Sequence, residues 1–302
     1  MKIGYACINE TLSCRSSRTF RLKSYSEQLI KEKISSNLSC LLEILQWNLH
    51  HHIYFFRISS DLIPFASHPV CAFPWQMEFK KQFREIGAFI SAHAMRVAMH
   101  PDQFVLLNAK DPEIVRKSIA ELKYHAEVLD LLGCDESAKI QIHTGGVYND
   151  KPVAIKRFCD AYNTLPDSIT RRLVIENDER LYSLQDVMGI HTQTLVPVLL
   201  DVFHHTLFNN NEPLDTALRQ AAATWTKRDG LPIVDFSTQK PESRIGSHAV
   251  SLDRGEFSRF LKESRGFDFD VMLEIKNKEK SALAAIALAK KESRLYTGHP
   301  QK

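Results

Sequence analysis

No CxxC pair occurs in this 302-residue chain, and no stretch rich in proline, glycine or serine marks a linker. No apolar run reaches the roughly 18 residues that a membrane span needs. Each absence removes a class. Without paired CxxC motifs a zinc ribbon has no support. The six cysteines, Cys7, Cys14, Cys40, Cys71, Cys134 and Cys159, are too sparse for a disulfide scaffold and predict reduced thiols in a cytoplasmic protein. The opening MKIGYACINE carries a charge but lacks the apolar segment of a secretory signal, so no membrane partner is expected. Charge of one sign is scarce too: Lys plus Arg is 39 and Asp plus Glu is 36, leaving +3. That excludes a histone-like chain or an acidic tail and leaves room for a local basic patch.

What is present is a repeated strand-and-helix rhythm. Short apolar runs rich in β-branched or aromatic residues fall at Lys2–Cys7, Ile53–Ile58, Met95–Met99, Lys139–His143, Leu173–Glu176, Val196–Asp201, Pro232–Phe236 and Phe269–Ile275. Helix-like stretches separate them: Tyr25–Trp47, Trp75–Ala92, Pro112–Leu132, Lys151–Tyr162, Pro213–Ala223 and Lys278–Lys290. In Pro112–Leu132 the apolar Ile114, Val115, Ile119, Leu122, Ala126 and Leu129 recur at helical spacing, behind an Asp111 N-cap and a proline at the first helical position. Near-continuous apolar strands alternating with helices predict a parallel sheet covered on both faces. Eight of them predict a single (β/α)8 TIM barrel over 1–290, with 291–302 as a flexible tail; an open doubly wound sheet is the alternative.

The polar residues fall at the ends of these strands. His100 follows the third, His143 ends the fourth, Glu176 the fifth and Asp201 the sixth, with His204 three residues on; Asp235 and Glu274 lie in the seventh and eighth. Read singly, each is a strand-end residue capping backbone groups. Read together they are costly to bury unless paired or metal-bound, and a barrel brings all its C-terminal strand ends to one mouth. With His248 they make eight candidates, more than one metal uses. A His, Asp and Glu set without cysteine suits Mn²⁺, Zn²⁺ or Fe²⁺, two or three ions per chain with Glu176 as a bridge, and such clusters hydrolyse phosphodiesters.

Other features read more plainly. His50, His51 and His52 sit between the first helix and the second strand, on the far face, and suit helix C-terminal capping. His93 and His125 lie within helical stretches and His191 at the end of one; His205, beside His204, points elsewhere, and His299 is in the tail. The loop after the first strand carries Arg15, Arg18, Arg21 and Lys23, and the one after the seventh carries Lys240, Arg244 and Arg254. Both open at the expected mouth and suit backbone phosphates, with a solvated loop as the bland alternative. Gln103 and Phe104, in HPDQF, pair a polar and an aromatic side chain at the rim, a combination that can fill a gap in a base stack.

These segments together resemble the UV damage endonucleases, barrel relatives of endonuclease IV. The matching stretches are IGYACINETL, YFFRISSDLIPFASH, MHPDQFVLLN, IQIHTGG, LVIENDE, VLLDVFHH, PIVDFSTQ with GSHAVSLD, and VMLEIKNKE. The resemblance implies three divalent metals, manganese above all, and nicking of damaged double-stranded DNA immediately 5′ to a UV photoproduct, leaving a 3′-hydroxyl and a 5′-phosphate. It implies His100, His143, Glu176, Asp201, His204, Asp235, His248 and Glu274 as metal ligands, and Glu176, Glu274 and His68 as catalytic. Lesion contacts would be Tyr5, Asn9, Gln103 and Phe104, with a monomer acting on DNA. Some relatives have His at the position of Asp235, Tyr at that of Phe104, and a modified metal-binding Lys where this chain has Ile233. Two other readings stay open: a two-metal barrel sugar isomerase or epimerase, and a non-catalytic damage-binding module.

Overall fold

The computed structural model describes residues 1–298, so His299 lies outside the described residues. The alternation folds as expected. Among the described residues eight strands close into a barrel in sequence order, each parallel to its neighbours: β1 Ile3–Ala6, β2 Phe55–Ile58, β3 Arg96–Met99, β4 Lys139–His143, β5 Leu173–Glu176, β6 Val198–Asp201, β7 Ile233–Phe236 and β8 Asp270–Leu273. Closure comes from β1 pairing with both β2 and β8. The principal helices are α1 Glu27–His50, α2 Trp75–Glu78, α3 Lys80–Ala92, α4 Pro112–Leu131, α5 Lys151–Tyr162, α6 Asp167–Thr170, α7 Leu184–Thr194, α8 Val202–Leu207, α9 Leu214–Ala223, α10 Arg254–Glu263 and α11 Glu279–Lys291. The stretch read as one helix from Trp75 to Ala92 is two, divided at Phe79. Four helices fall outside the helix-like stretches read from the sequence: α6, α7, α8 and α10. Two of them are only four and six residues long, too short to show a period. The other two bury residues at helical spacing, Leu184, Val187 and Ile190 on α7 and Phe257, Phe260 and Leu261 on α10, and start at side-chain caps, Ser183 with Asp186 and Asp253.

Strand alternation sorts the side chains into two sets. Ile3, Tyr5, Phe56, Ile58, Val97, Met99, Ile140 and Ile142 pack with helix residues such as Leu41, Ile44 and Leu129. The opposite set, Ala6, Phe55, Ala98, Val174, Leu199, Ile233 and Met272, forms a separate apolar cluster inside the barrel. Below it, toward the N-terminal strand ends, Arg96 pairs with Asp270 at 3.0 Å and Lys139 with Asp229. Above it, the next inward positions are Arg57, Gln141, Glu176, Asp201 and Asp235. The interior is thus layered: charged below, apolar in the middle, charged above.

Two expectations are corrected. Cys14 and Cys40 are joined in a disulfide, with Cα atoms 5.7 Å apart, so these two are not free thiols. Their separation of 26 residues hid the pairing, which arises because the β1–α1 loop folds back on α1. The segment from 291 is not a loose tail over its first residues either. The Met1 amine donates to the Arg294 carbonyl at 2.7 Å, the Tyr296 amide donates to the Met1 carbonyl at 2.8 Å, and the Arg294 guanidinium reaches the carbonyls of Leu261 and Phe267.

Gly4 marks the closest approach in the barrel wall. A Cβ there would stand 2.4 Å from the Phe55 carbonyl oxygen on β2. Gly4→Ala should therefore destabilise the fold by about 1–3 kcal/mol, as overpacking does. Denaturant unfolding measures this, and an unchanged midpoint would show that β1 and β2 can separate freely.

Candidate metal centre at the barrel mouth

The upper layer holds the polar strand ends. Glu176, Asp201 and Asp235 are fully buried, and the Asp201 and Asp235 positions are paired across β6 and β7, as those of His143 and Glu176 are across β4 and β5. Glu176 Oε1 lies 3.1 Å from His100 Nε2 and 3.0 Å from His143 Nδ1. Asp201 caps α8 through Oδ1, which accepts the His204 amide at 2.8 Å, and this short helix start brings the His204 ring within 3.4 Å of Oδ2. Among the described residues three metal-capable sets result: His100, His143 and Glu176; Glu176, Asp201 and His204; and Asp201, Asp235 and Glu274. Within each, the donor atoms lie within 4.8 Å of one another, and Glu176 and Asp201 each serve two sets. His248 stands beside them, its ring 5.9 Å from that of His204 and its Nδ1 2.8 Å from the Glu274 carbonyl oxygen.

Crowding shapes the charges. Burial pushes Asp201 up to about 6 despite His204, and carries Asp235 well above the usual carboxylate range despite Arg57. Burial also opposes the charge on Glu176 and Glu274. His143 and His100 nonetheless hold Glu176 at about 2, and Arg57, His248 and His100 hold Glu274 low. The surrounding carboxylates, Asp201 first, overcome burial at His204 and raise it to about 9. Buried atoms remain without a hydrogen bond: Asp235 Oδ1, His100 Nδ1 and Asp201 Oδ2, which only the His204 ring approaches. Orphaned carboxylate oxygens facing imidazoles are a donor set that fits divalent cations.

The rim residues divide. Phe104 is 66 % exposed and Gln103 beside it is exposed, on the β3–α4 connection. Arg18, Arg21 and Lys23 are exposed on the β1–α1 loop, as are Arg244 and Arg254 after β7, where Lys240 is half-buried. The Gln239 side chain bonds the carbonyls of Lys240, Ser243 and Arg244 and the amide of Gly246, which fixes that second loop. His68 is exposed on the β2–α2 connection; its Nδ1 accepts the Val70 amide and its ring meets the edge of Phe65, so it is engaged by its own loop. Three candidates are used internally. Tyr5 is 0 % exposed and donates to Asn48 Oδ1 on α1 at 2.7 Å, while Asn9 Nδ2 donates to the Tyr5 hydroxyl at 2.9 Å. Asn9 Oδ1 also accepts the amides of Thr11 and Leu12. Strand parity turns Tyr5 outward to the helices, where it and Asn9 brace the loop. Arg15 likewise folds onto its own loop, donating to the carbonyls of Asn9, Leu12 and Cys14.

The family model described as UV-endonuclease UvdE matches residues 1–295. The chain belongs to this family. It is 40% identical over 288 residues to the UV DNA damage endonuclease of Clostridium perfringens, covering 95% of this chain and 70% of that protein. The crystal structure of SacUVDE superposes with a TM-score of 0.94 at 42% identity, covering 98% of this chain and all of that one. Endonuclease IV from Thermus thermophilus, at 17% identity and a TM-score of 0.59 over 83% of this chain and 93% of its own, shares the fold.

For a UV endonuclease, a sequence scan for metal ligands misses three buried polar residues at the mouth. Arg57 donates to Asp235, Glu274 and Gln141; Gln141 donates to Glu176 and Asp235. Asn177 holds Asp201 by its backbone, donating to its carbonyl at 3.0 Å and accepting its amide at 2.9 Å. Parity would have found the first two, since Arg57 is two residues beyond inward Phe55 and Gln141 two before His143. Ile233, one inward position below Asp235, is packed in the apolar layer and offers no ligand atom.

Glu176 shares its carboxylate between two sets, which predicts a specific loss. Glu176→Gln should keep the far-ultraviolet circular dichroism of the fold but retain fewer equivalents of divalent metal than wild type by elemental analysis. Equal metal content in both proteins would reduce Glu176 to a strand cap.

Proposed function

We propose that this UV endonuclease is a metal-dependent phosphodiester hydrolase that nicks DNA immediately 5′ to UV photoproducts, leaving a 3′-hydroxyl and a 5′-phosphate. The observation that carries the reading is the overlap of three buried donor sets through Glu176 and Asp201 at the mouth of the barrel. His100 and His143 with Glu176, Glu176 with Asp201 and His204, and Asp201 with Asp235 and Glu274 would hold two or three ions, with His248 an added donor beside Glu274. Mn²⁺ is the proposed occupant, and Zn²⁺ or Fe²⁺ would suit the same donors. Bound there, such ions would acidify water and stabilise the attacking and leaving oxygens of an in-line displacement at phosphorus.

The chain's own residues do the rest. Buried carboxylates and imidazoles exclude bulk water and fix where positive charge sits, so little reorganises during reaction. Arg18, Arg21, Lys23 and Arg244 offer cations around the mouth to backbone phosphates. A photoproduct weakens stacking and pairing, so exposing its bases costs less than exposing normal ones. Phe104, with its ring in solvent, suits the space that extruded bases leave, and Gln103 offers a donor and an acceptor to the unpaired bases opposite. A two-metal sugar isomerase needs no basic loops around its mouth.

Irradiated and plain duplexes, incubated with Mn²⁺ or with a chelator, test the reading. Nicking of irradiated DNA alone, lost with chelator and restored by Mn²⁺, is the expected result. Cutting that survives metal removal would contradict it. The double variant Gln103→Ala/Phe104→Ala should keep its metal and lose preference for irradiated DNA; unchanged preference would move lesion recognition elsewhere.

A further inference from the structure

Arg57 is a cation only 3 % exposed, buried at the centre of an anionic cluster. By strand parity it points into the barrel. Its Nη2 donates to Asp235 Oδ2 at 2.7 Å and to Gln141 Oε1 at 2.6 Å, and its Nη1 donates to Glu274 Oε1. Gln141 Nε2 donates in turn to Glu176 Oε2 at 2.6 Å and to Asp235 Oδ2 at 2.7 Å. The two side chains therefore occupy one oxygen of each of three carboxylates. The remaining oxygens face the donor sets. Glu176 Oε1 is near His100 and His143, Asp235 Oδ1 is buried without a partner, and Glu274 Oε2 lies 3.7 Å from His248 Nδ1.

Chemistry constrains this arrangement tightly. A free carboxylate can bind a cation through one oxygen or both and can rotate between them. With one oxygen engaged by a guanidinium or amide, that rotation is blocked and the other oxygen is the one left turned toward the donor sets. The amide of Gln141 has one workable orientation, because its oxygen must face a donor-only guanidinium and its nitrogen two carboxylates. Arg57 is charged at every working pH and has the planar fork needed to reach Asp235 and Glu274 together; a lysine would supply the charge without the fork.

We infer that Arg57 and Gln141 are positioning residues that fix Glu176, Asp235 and Glu274 as single-oxygen donors to divalent cations. This inference rests on the metal reading proposed above. Partners that orient metal ligands from behind typically contribute about 10–100-fold to metal affinity. A counter-ion that only offsets the burial of Asp235 would contribute to folding and leave affinity alone.

The test uses the full chain with Mn²⁺ and a competing chelating dye, and Co²⁺ as a spectroscopic probe of coordination. Gln141→Met removes the amide, and with it one acceptor of Arg57, but keeps both carboxylate partners of Arg57; Arg57→Lys keeps the charge and removes the fork. Both are expected to weaken Mn²⁺ binding by about 10–100-fold and to change the visible spectrum of the Co²⁺ form. Wild-type affinity and an unchanged spectrum, with only the metal-free Tm lowered, would overturn the inference. Should Arg57→Lys fail to fold, the neutral Gln141→Met carries the same two readouts by itself. Failure of the underlying reading looks different: wild-type protein that binds no Mn²⁺ would overturn the metal centre itself.

Discussion

Mutual repulsion among Glu176, Asp201, Asp235 and Glu274 is the constraint around which the mouth is organised. Water cannot screen carboxylates at this burial, so each must be neutralised by a proton, a cation or a hydrogen bond. The chain uses all three. Burial favours the protonated forms of Asp201 and Asp235, Arg57 supplies a fixed charge, and the imidazoles of His100, His143 and His204 supply the rest. A set arranged in this way could exchange protons for metal ions, because the same oxygens would serve either.

The barrel makes that arrangement tolerable. Its middle layer, from Phe55 and Ala98 to Ile233 and Met272, is apolar and separates the mouth from the ion pairs of Arg96 with Asp270 and Lys139 with Asp229 below. The lower charges are matched within their own layer and leave the anionic mouth uncompensated from beneath. Parallel strands pointing one way then deliver residues from successive connections to a common cavity, and the short helix α8 adds His204 one turn after Asp201. The loops can vary around this centre. One is stapled to α1 by the Cys14–Cys40 disulfide and braced by Tyr5 and Asn9, and another is held by Gln239, so the exposed cations ride on fixed supports.

Much of this was legible in the residues. Apolar runs ending in His143, Glu176 and Asp201 announced both the strands and the centre, because ionisable groups buried side by side are costly unless they pair or share a cation. Near-continuous apolar strands hid which face each residue takes, however. Tyr5 reads as a mouth residue until Gly4 and Ala6 claim the inward positions and turn it toward Asn48. The same parity, applied to β2 and β4, points Arg57 and Gln141 inward, where a scan for metal ligands passes over an arginine and a glutamine. Arg15 looked like its neighbours Arg18 and Arg21, and only the path of the loop reveals three carbonyls around its guanidinium. The disulfide was out of reach for the same reason, since a 26-residue separation says nothing about which thiols meet.

The proposed centre has metal ions take the place of protons in this carboxylate layer. Anomalous diffraction from crystals soaked in Mn²⁺ tests it most directly. The account predicts at least two peaks inside the mouth, one between Glu176 and the imidazoles of His100 and His143 and another reached by Asp201 Oδ2. Anomalous peaks confined to surface carboxylates, with the mouth empty, would contradict it.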